Sequence, residues 1–283
     1  MKKFAVFGNP VAHSLSPTIH QMFAEQCDVA ISYDKLCPPL EDFAGSLEHF
    51  FEDPHAVGCN VTMPFKGEAA KLATRLDHAA QLAGAVNTLH RQNSSMRSED
   101  SRSEVSLNGY NTDGVGLVAD LKNQAVALAD QRVLLIGAGG AARGVIHPLL
   151  NAGLKTLIIT NRTMAKAENI ASQAGDSRVV ALDKPGLAEC RPDIIVNTTS
   201  ASLGGELPDL NNISFTQCQL AYDMVYQAEP TVFMKQALEL GAQNAADGLG
   251  MLVEQAAAAF TIWTSMQPQT RPVIEALRQQ LRR

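Results

Sequence analysis

Short apolar runs alternate with amphipathic stretches along almost the whole chain, the pattern of an α/β protein whose strands are largely parallel. Phe4-Ala-Val-Phe7, Ser32 to Leu36 and Val57 to Thr62 predict strands, with an amphipathic helix over Leu40 to Phe51. Ser16 has N-cap chemistry and Pro17 first-turn chemistry for a helix reaching about Gln26. Ser14 is not explained by that cap, and two hydroxyls beside a strand end suit a polyol or a carboxylate. The third strand runs into Asn60-Val-Thr-Met-Pro-Phe-Lys66, where Pro64 suits the first turn of a helix and Lys66 falls at the sheet edge where open α/β sheets keep their ligands.

A helical run is expected through Ala83, then a short strand to about Arg91 and a return strand over Val105 to Leu107. Arg91 to Glu104 is polar, serine-rich and aperiodic, which predicts an exposed, mobile hairpin tip. Asp113 precedes a helix from Val115 to about Ala127, where it either caps the helix or serves the site.

The most specific stretch is Arg132 to Thr163. Val133 to Ile136 is a continuous apolar run, as in a parallel strand buried on both faces. Gly137, Gly139 and Ala142 then fill the small-residue places of G-x-G-x-x-G/A before a helical pattern. This chemistry gives a tight turn, close backbone approach to a pyrophosphate and close packing of helix on strand. The next strand, Thr156 to Thr160, ends in Asn161-Arg162-Thr163 where an NAD site usually has Asp or Glu on the ribose hydroxyls. Arg162, with Lys166 one turn on, suits a 2′-phosphate, so NADP is the expected cofactor.

Val179 to Leu182, Ile194 to Asn197 and Leu220 to Val225 predict the remaining strands of this unit. Thr198-Thr199-Ser200 and Met224-Val225-Tyr226 lie at strand ends on the cofactor-facing edge. Ala246 opens a predicted helix to about Trp263 that carries Gly248, Met251 and Gln255 on one face, and a last helix, Pro272 to Leu281, is expected to pack back on the first domain.

A length of 283 residues accommodates two domains, and 46% hydrophobic with 18% charged residues is a soluble globular composition. The net charge of −6 argues against nucleic-acid or membrane-surface partners, which need a basic face. Five scattered cysteines without a C-x-x-C pair fit a reducing cytoplasm, and the histidines show no metal-ligand spacing. Lys2 and Lys3 precede only four apolar residues, too few for a secretory signal, and no run approaches the ~18 of a membrane span.

Several blocks in order resemble the shikimate dehydrogenase family: Val6-Phe-Gly-Asn-Pro10, Ser14-Leu-Ser-Pro17, Asn60 to Lys66, Gly84-Ala-Val-Asn-Thr88, Asn111-Thr-Asp-Gly114, Gly137 to Ala141, Asn161-Arg-Thr163, Tyr222 to Tyr226 and Asp247 to Met251. The resemblance implies reduction of 3-dehydroshikimate with NADPH, on the path to chorismate and aromatic amino acids. It implies Lys66 and Asp113 as catalytic pair, and Ser14, Ser16, Thr62, Asn87, Tyr226 and Gln255 as substrate ligands. NADP would be held by Gly137, Ala138, Gly139, Gly140, Ala141, Asn161, Arg162, Thr163, Lys166, Met224 and Gly248. The substrate domain would be discontinuous, 1–113 plus 248–283, around a Rossmann domain over 114–247, with the active site in a cleft. A homodimer is left open as the assembly. The Arg91 to Leu107 region is longer than the family pattern, Lys166 stands where arginine is often found, and His78 replaces an expected acidic residue. Two other readings stay open: an NAD-linked quinate/shikimate dehydrogenase, and a non-catalytic NADP-binding regulatory module.

Overall fold

A computed structural model describes residues 1–92 and 105–282, so the expected hairpin tip beyond Gln92 lies outside the described residues. The chain forms two compact units, residues 1–112 with 255–273, and 113–254 with 274–283. This division differs from the expected one in giving Asp113, 248–254 and 274–283 to the second unit.

The first unit contains β1 (Lys2–Phe7), α1 (Ser16–Gln26), β2 (Ile31–Leu36), α2 (Phe43–Glu52), β3 (Ala56–Val61), α3 (Lys66–Leu72), β4 (Arg75–Leu76), α4 (His78–Ala83), β5 (Thr88–Arg91) and β6 (Leu107–Tyr110). Its sheet has the order β2-β1-β3-β5-β6-β4. The strands are less uniformly parallel than the alternation predicts. β1 is parallel to β2 and β3, but β5 runs antiparallel to both β3 and β6. Successive neighbours pair antiparallel when the chain turns back at the same sheet edge, and Gln92 N–H donating to Ser106 O at 2.9 Å continues that ladder past its last strand pair.

Local chemistry sets the helix starts, with two departures from expectation. Ser16 does not cap α1: Leu15 holds the N-cap position without a side-chain bond, and Ser16 is the first helical residue. The Met63–Pro64 peptide is cis and α3 begins at Lys66, so Pro64 belongs to the connection rather than to the helix. Strand β4 interrupts the helical run expected through Ala83. One sheet face packs Ala5, Phe7 and Cys59 on Phe43, Leu47, Phe51 and Phe65. In the 255–273 segment of the same unit, Trp263 stacks on Phe4 at 4.7 Å and donates its indole N–H to Leu89 O at 2.9 Å.

The second unit contains α5 (Asp113–Asn123), β7 (Arg132–Ile136), α6 (Gly140–Asn151), β8 (Thr156–Thr160), α7 (Met164–Ala174), β9 (Val179–Ala181), α8 (Lys184–Glu189), β10 (Ile194–Asn197), β11 (Leu220–Asp223), α9 (Val232–Glu239) and β12 (Ala245–Asp247). Two further helices follow, α10 (Leu249–Thr264) and α11 (Arg271–Leu281). The sheet order is β12-β11-β10-β7-β8-β9, and every ladder is parallel. This is the doubly wound arrangement expected from the glycine motif. Alternation along β7 divides the core: Val133 and Leu135 face the cluster with Leu117, Val145 and Leu149, whereas Leu134 and Ile136 face Leu187, Phe215 and Phe233. Ala246 and Asp247, expected to open a helix, instead belong to the edge strand β12, paired to β11 over Ala221 to Asp223. The last helix is also placed differently, because residues 274–283 group with the second unit, where Arg278 pairs with Asp247.

Candidate active site

Antiparallel β5 brings a strand start to the edge where its neighbours end. Asn60 pairs with Thr88 and Thr88 with Tyr110, so Thr62 after β3, Asn87 before β5 and Thr112 after β6 share one sheet edge. The backbone fixes the approach: Thr62 N–H donates to Phe7 O at 2.8 Å, Asn87 N–H to Tyr110 O at 3.0 Å and Val86 N–H to Lys66 O at 2.9 Å. Lys66, the first residue of α3, is thereby tied to the Gly84–Thr88 connection. Asp113 follows Thr112 as the first residue of α5.

The polar side chains at that edge form a connected set. Asn87 Nδ2 donates to Thr112 Oγ1 at 2.9 Å and to Gln255 Oε1 at 3.3 Å, while Asn87 Oδ1 accepts from Thr112 N–H at 2.9 Å and from Thr88 Oγ1 at 3.0 Å. Asn60 Nδ2 donates to Asn87 O and to Thr88 Oγ1, both at 3.1 Å. Its Oδ1 accepts from Tyr33 OH at 2.6 Å and from His20 Nε2 at 3.2 Å. Ser14 Oγ donates to Ser16 Oγ at 3.1 Å and accepts from Ser16 N–H at 3.3 Å. The edge can therefore present hydroxyls, amides and an ammonium to an oxygen-rich ligand. Asn60, Thr112, Tyr33 and His20 were not singled out in the sequence, although Asn60 and Thr112 flank candidates that were.

His20 is fully buried and stacks on Tyr33 at 4.6 Å. Burial pushes its imidazole down to about 3, outweighing the bond to Asn60. The neutral form is therefore the folded one, and the unfolded chain binds a proton that the native state excludes between pH ~6.5 and ~3. Stability should fall as pH drops through that window. Urea unfolding should show the wild type losing ~2 kcal/mol more than His20→Gln between pH 7 and pH 5. Equal losses would mean that His20 is protonated in the folded state.

The second unit holds a cavity of about 890 Å³ lined by Gly137, Asn161, Arg162, Met164, Thr199 and Ser200, among others. Gly137 has φ 116°, and a Cβ there would come within 2.5 Å of Thr198 Oγ1. A Cβ at Gly139 or Gly140 would meet nothing within 4 Å, which leaves room at the N-terminus of α6 for a pyrophosphate against free N–H groups. Arg162 is exposed on the cavity wall, and Asn161 Nδ2 donates to Thr163 O at 2.9 Å to set the turn that carries it. These residues fit a dinucleotide with a charged adenosine end. Lys166 is exposed in the first turn of α7 but does not line this cavity, and neither do Ala138, Gly139, Gly140, Ala141, Thr163, Met224 and Gly248. Sequence reading missed Asp183, Lys184 and Asp209 on the wall, with Lys184 Nζ 2.8 Å from Asp209 Oδ2. For Asp183 and Lys184 the one signal was position, just beyond β9.

Met224 and Gly248 meet elsewhere in the same unit. A Cβ on Gly248 would lie 2.2 Å from Met224 O, so only glycine allows this approach, and Gly248 N–H donates to Val225 O at 3.2 Å. Gly248 precedes α10 rather than sharing its face, since the helix begins at Leu249. Tyr226, two residues beyond Met224, is half-buried, and burial raises its phenol above the usual range, with Asp247 adding to the effect.

Comparison with known proteins gives three family matches: the shikimate dehydrogenase substrate binding domain over residues 6–89, shikimate / quinate 5-dehydrogenase over 119–204, and the shikimate 5′-dehydrogenase C-terminal domain over 248–278. The chain is 53% identical over 279 residues to a shikimate dehydrogenase (NADP(+)) of Alteromonas mediterranea, covering 98% of this chain and 96% of that one. It is 47% identical to one of Chromohalobacter salexigens, covering 99% and 98%. Among solved structures it is similar to shikimate 5-dehydrogenase from Thermus thermophilus in complex with NADP(H) and shikimate, with a TM-score of 0.83 at 32% identity over 99% of each chain.

Proposed function

The chain belongs to the shikimate dehydrogenase family, and from that premise we propose that it reversibly reduces 3-dehydroshikimate to shikimate with NADPH, supplying chorismate and aromatic amino acid synthesis. The observation that carries the reading is the single sheet edge on which Thr62, Lys66, Asn87 and Thr112 are fixed by backbone ladders. When bound, NADPH would supply the hydride and NADP+ would accept it back in the reverse direction. Every other task falls to the side chains. Ser14 and Ser16 hold the substrate carboxylate, and Thr62, Asn87, Gln255 and Tyr226 hold its hydroxyls. Lys66 donates the proton that the C3 oxygen needs as it becomes a hydroxyl, and Asp113 orients that hydroxyl; positioned acid–base groups of this kind contribute ~10²–10⁴-fold.

Gly137 to Ala141 receive the pyrophosphate, Asn161 to Thr163 with Lys166 the adenosine 2′-phosphate, and Met224 with Gly248 the nicotinamide end. No helix among the described residues is long and apolar enough to cross a membrane. All five cysteines are free thiols, which supports a cytoplasmic enzyme. The test is NADP reduction followed at the nicotinamide absorbance, with shikimate and quinate each offered against NADP and NAD. Strong preference for shikimate with NADP is expected. Turnover mainly with quinate or NAD would replace this reading by the looser dehydrogenase, and none in any combination by the regulatory module.

A further inference from the structure

Arg278, in the last helix, touches the two strand-end loops that carry Tyr226 and Gly248. Its guanidinium donates through Nη1 to Asp247 Oδ2 at 2.7 Å and to Gln227 O at 3.2 Å, and through Nη2 to Asp247 Oδ1. Asp247 closes β12 and is 6% exposed, so this is a two-pronged pair on a buried carboxylate. Gln227 follows Tyr226 directly. Asp247 Oδ1 also accepts from Leu249 N–H at 3.2 Å, which fixes the turn containing Gly248.

The segment on which Tyr226 sits is held at both ends. On the strand side, Asp223 Oδ1 accepts from Val225 N–H at 3.1 Å, and Asp223 itself is buried and further bonded by Asn197, Ser202 and Thr231. On the far side, the anchors are Arg278 on Gln227 O and the Gln227 side-chain amide on Ser202 O at 3.0 Å. Between these anchors only Tyr226 has its backbone unpinned by the bonds just described. Removing Arg278 would leave Asp247 without its cationic partner and free the Gln227 carbonyl.

We infer that Arg278 is a positioning residue: by clamping Asp247 and the Gln227 carbonyl together it fixes the segment that carries Tyr226, and with it the contribution of Tyr226 to substrate binding, and keeps Gly248 against Met224. The inference rests on the assignment of Tyr226 to substrate binding made above. A fork of donors is what the geometry uses, since one group spans a carboxylate and a carbonyl on two loops. Lysine keeps the charge but has no planar fork.

The experiment compares Arg278→Lys, Arg278→Met, Tyr226→Phe and the Arg278→Lys/Tyr226→Phe double variant. For each, kcat and KM for shikimate, affinity for 2′,5′-ADP and the melting temperature are measured. The probe 2′,5′-ADP occupies the Arg162 end and lacks a nicotinamide, so it reports damage to the unit as a whole. Arg278→Lys is expected to raise the shikimate KM ~10-fold, with 2′,5′-ADP affinity within ~2-fold of wild type. Arg278→Met should do at least as much if it folds, and Arg278→Lys keeps the test open if it does not. In the double variant the KM effect should not exceed that of Tyr226→Phe by more than ~2-fold, because both changes remove one interaction. Additive effects, or a fall in 2′,5′-ADP affinity parallel to the rise in KM, would overturn the positioning role while leaving Tyr226 in the site. A Tyr226→Phe enzyme with wild-type KM would instead remove Tyr226 from substrate binding, and the inference with it.

Discussion

Lys66→Met should lower kcat by ~10²–10⁴-fold while shikimate affinity, followed by calorimetry, changes by less than ~10-fold. The asymmetry follows from what each state demands. On the proposed assignment, the C3 hydroxyl in the bound ground state is one of several groups shared among Asn87, Gln255 and the other hydroxyl ligands, so losing one ammonium should remove only a fraction of the binding. In the transition state the C3 oxygen gains or sheds charge, and only a positioned proton donor meets that change, so the full deficit falls on kcat. The backbone supports this division, because Lys66 O accepts from Val86 N–H at 2.9 Å and the first turn of α3 is thereby fixed beside the Asn87 strand start. Methionine preserves chain length and helix propensity, so folding should be intact. Near-normal turnover would remove Lys66 from the mechanism.

Arg162→Ala should weaken NADP binding by ~1.5–3 kcal/mol, the value of a hydrogen bond to a charged group. That corresponds to ~10–150-fold in affinity. NAD, which lacks the 2′-phosphate, should be used almost as before, so discrimination between the cofactors should fall by nearly the whole amount. Arg162 is exposed on the cavity wall, hence part of its effect should be screened by salt, and the loss should be largest at low ionic strength. Equal losses with both cofactors would defeat the 2′-phosphate assignment. Lys166 is equally exposed but stands outside the cavity lining, and its substitution should cost less.

The dinucleotide unit was legible wherever a signal was local. Val133 to Ile136 and Thr156 to Thr160 are apolar enough to declare buried strands, and Gly137 after the first has the backbone reason the motif implies, a positive φ with no space for a Cβ. β12 was not legible, because Ala245-Ala246-Asp247 has no alternation and becomes a strand only through its ladder to β11. Likewise Ser16 has cap chemistry in the sequence, yet its own N–H is taken by Ser14 Oγ and it sits one position inside α1. Lys66 was readable as a lysine beside a strand end, whereas Asn87 and Thr62 entered as candidates only through the family resemblance. Their common edge was not readable, because it depends on β5 running against β3, a fact of pairing rather than of composition. Asn60, Thr112 and His20 fell outside the reading for the same reason: their roles are bonds to residues distant in sequence.

The same antiparallel pair separates two kinds of sequence freedom. Thr88 opposite Tyr110 marks the edge of the proposed site, and Arg91 opposite Leu107 the other end of the ladder, three residues away. At strand rise this is ~10 Å of rigid backbone. Gln92 and Val105 therefore lie at the opposite end of this ladder from Asn87 and Thr112. For an engineer, that makes the β5–β6 junction the place to graft an epitope, a fluorophore or a surface tether onto a working catalyst.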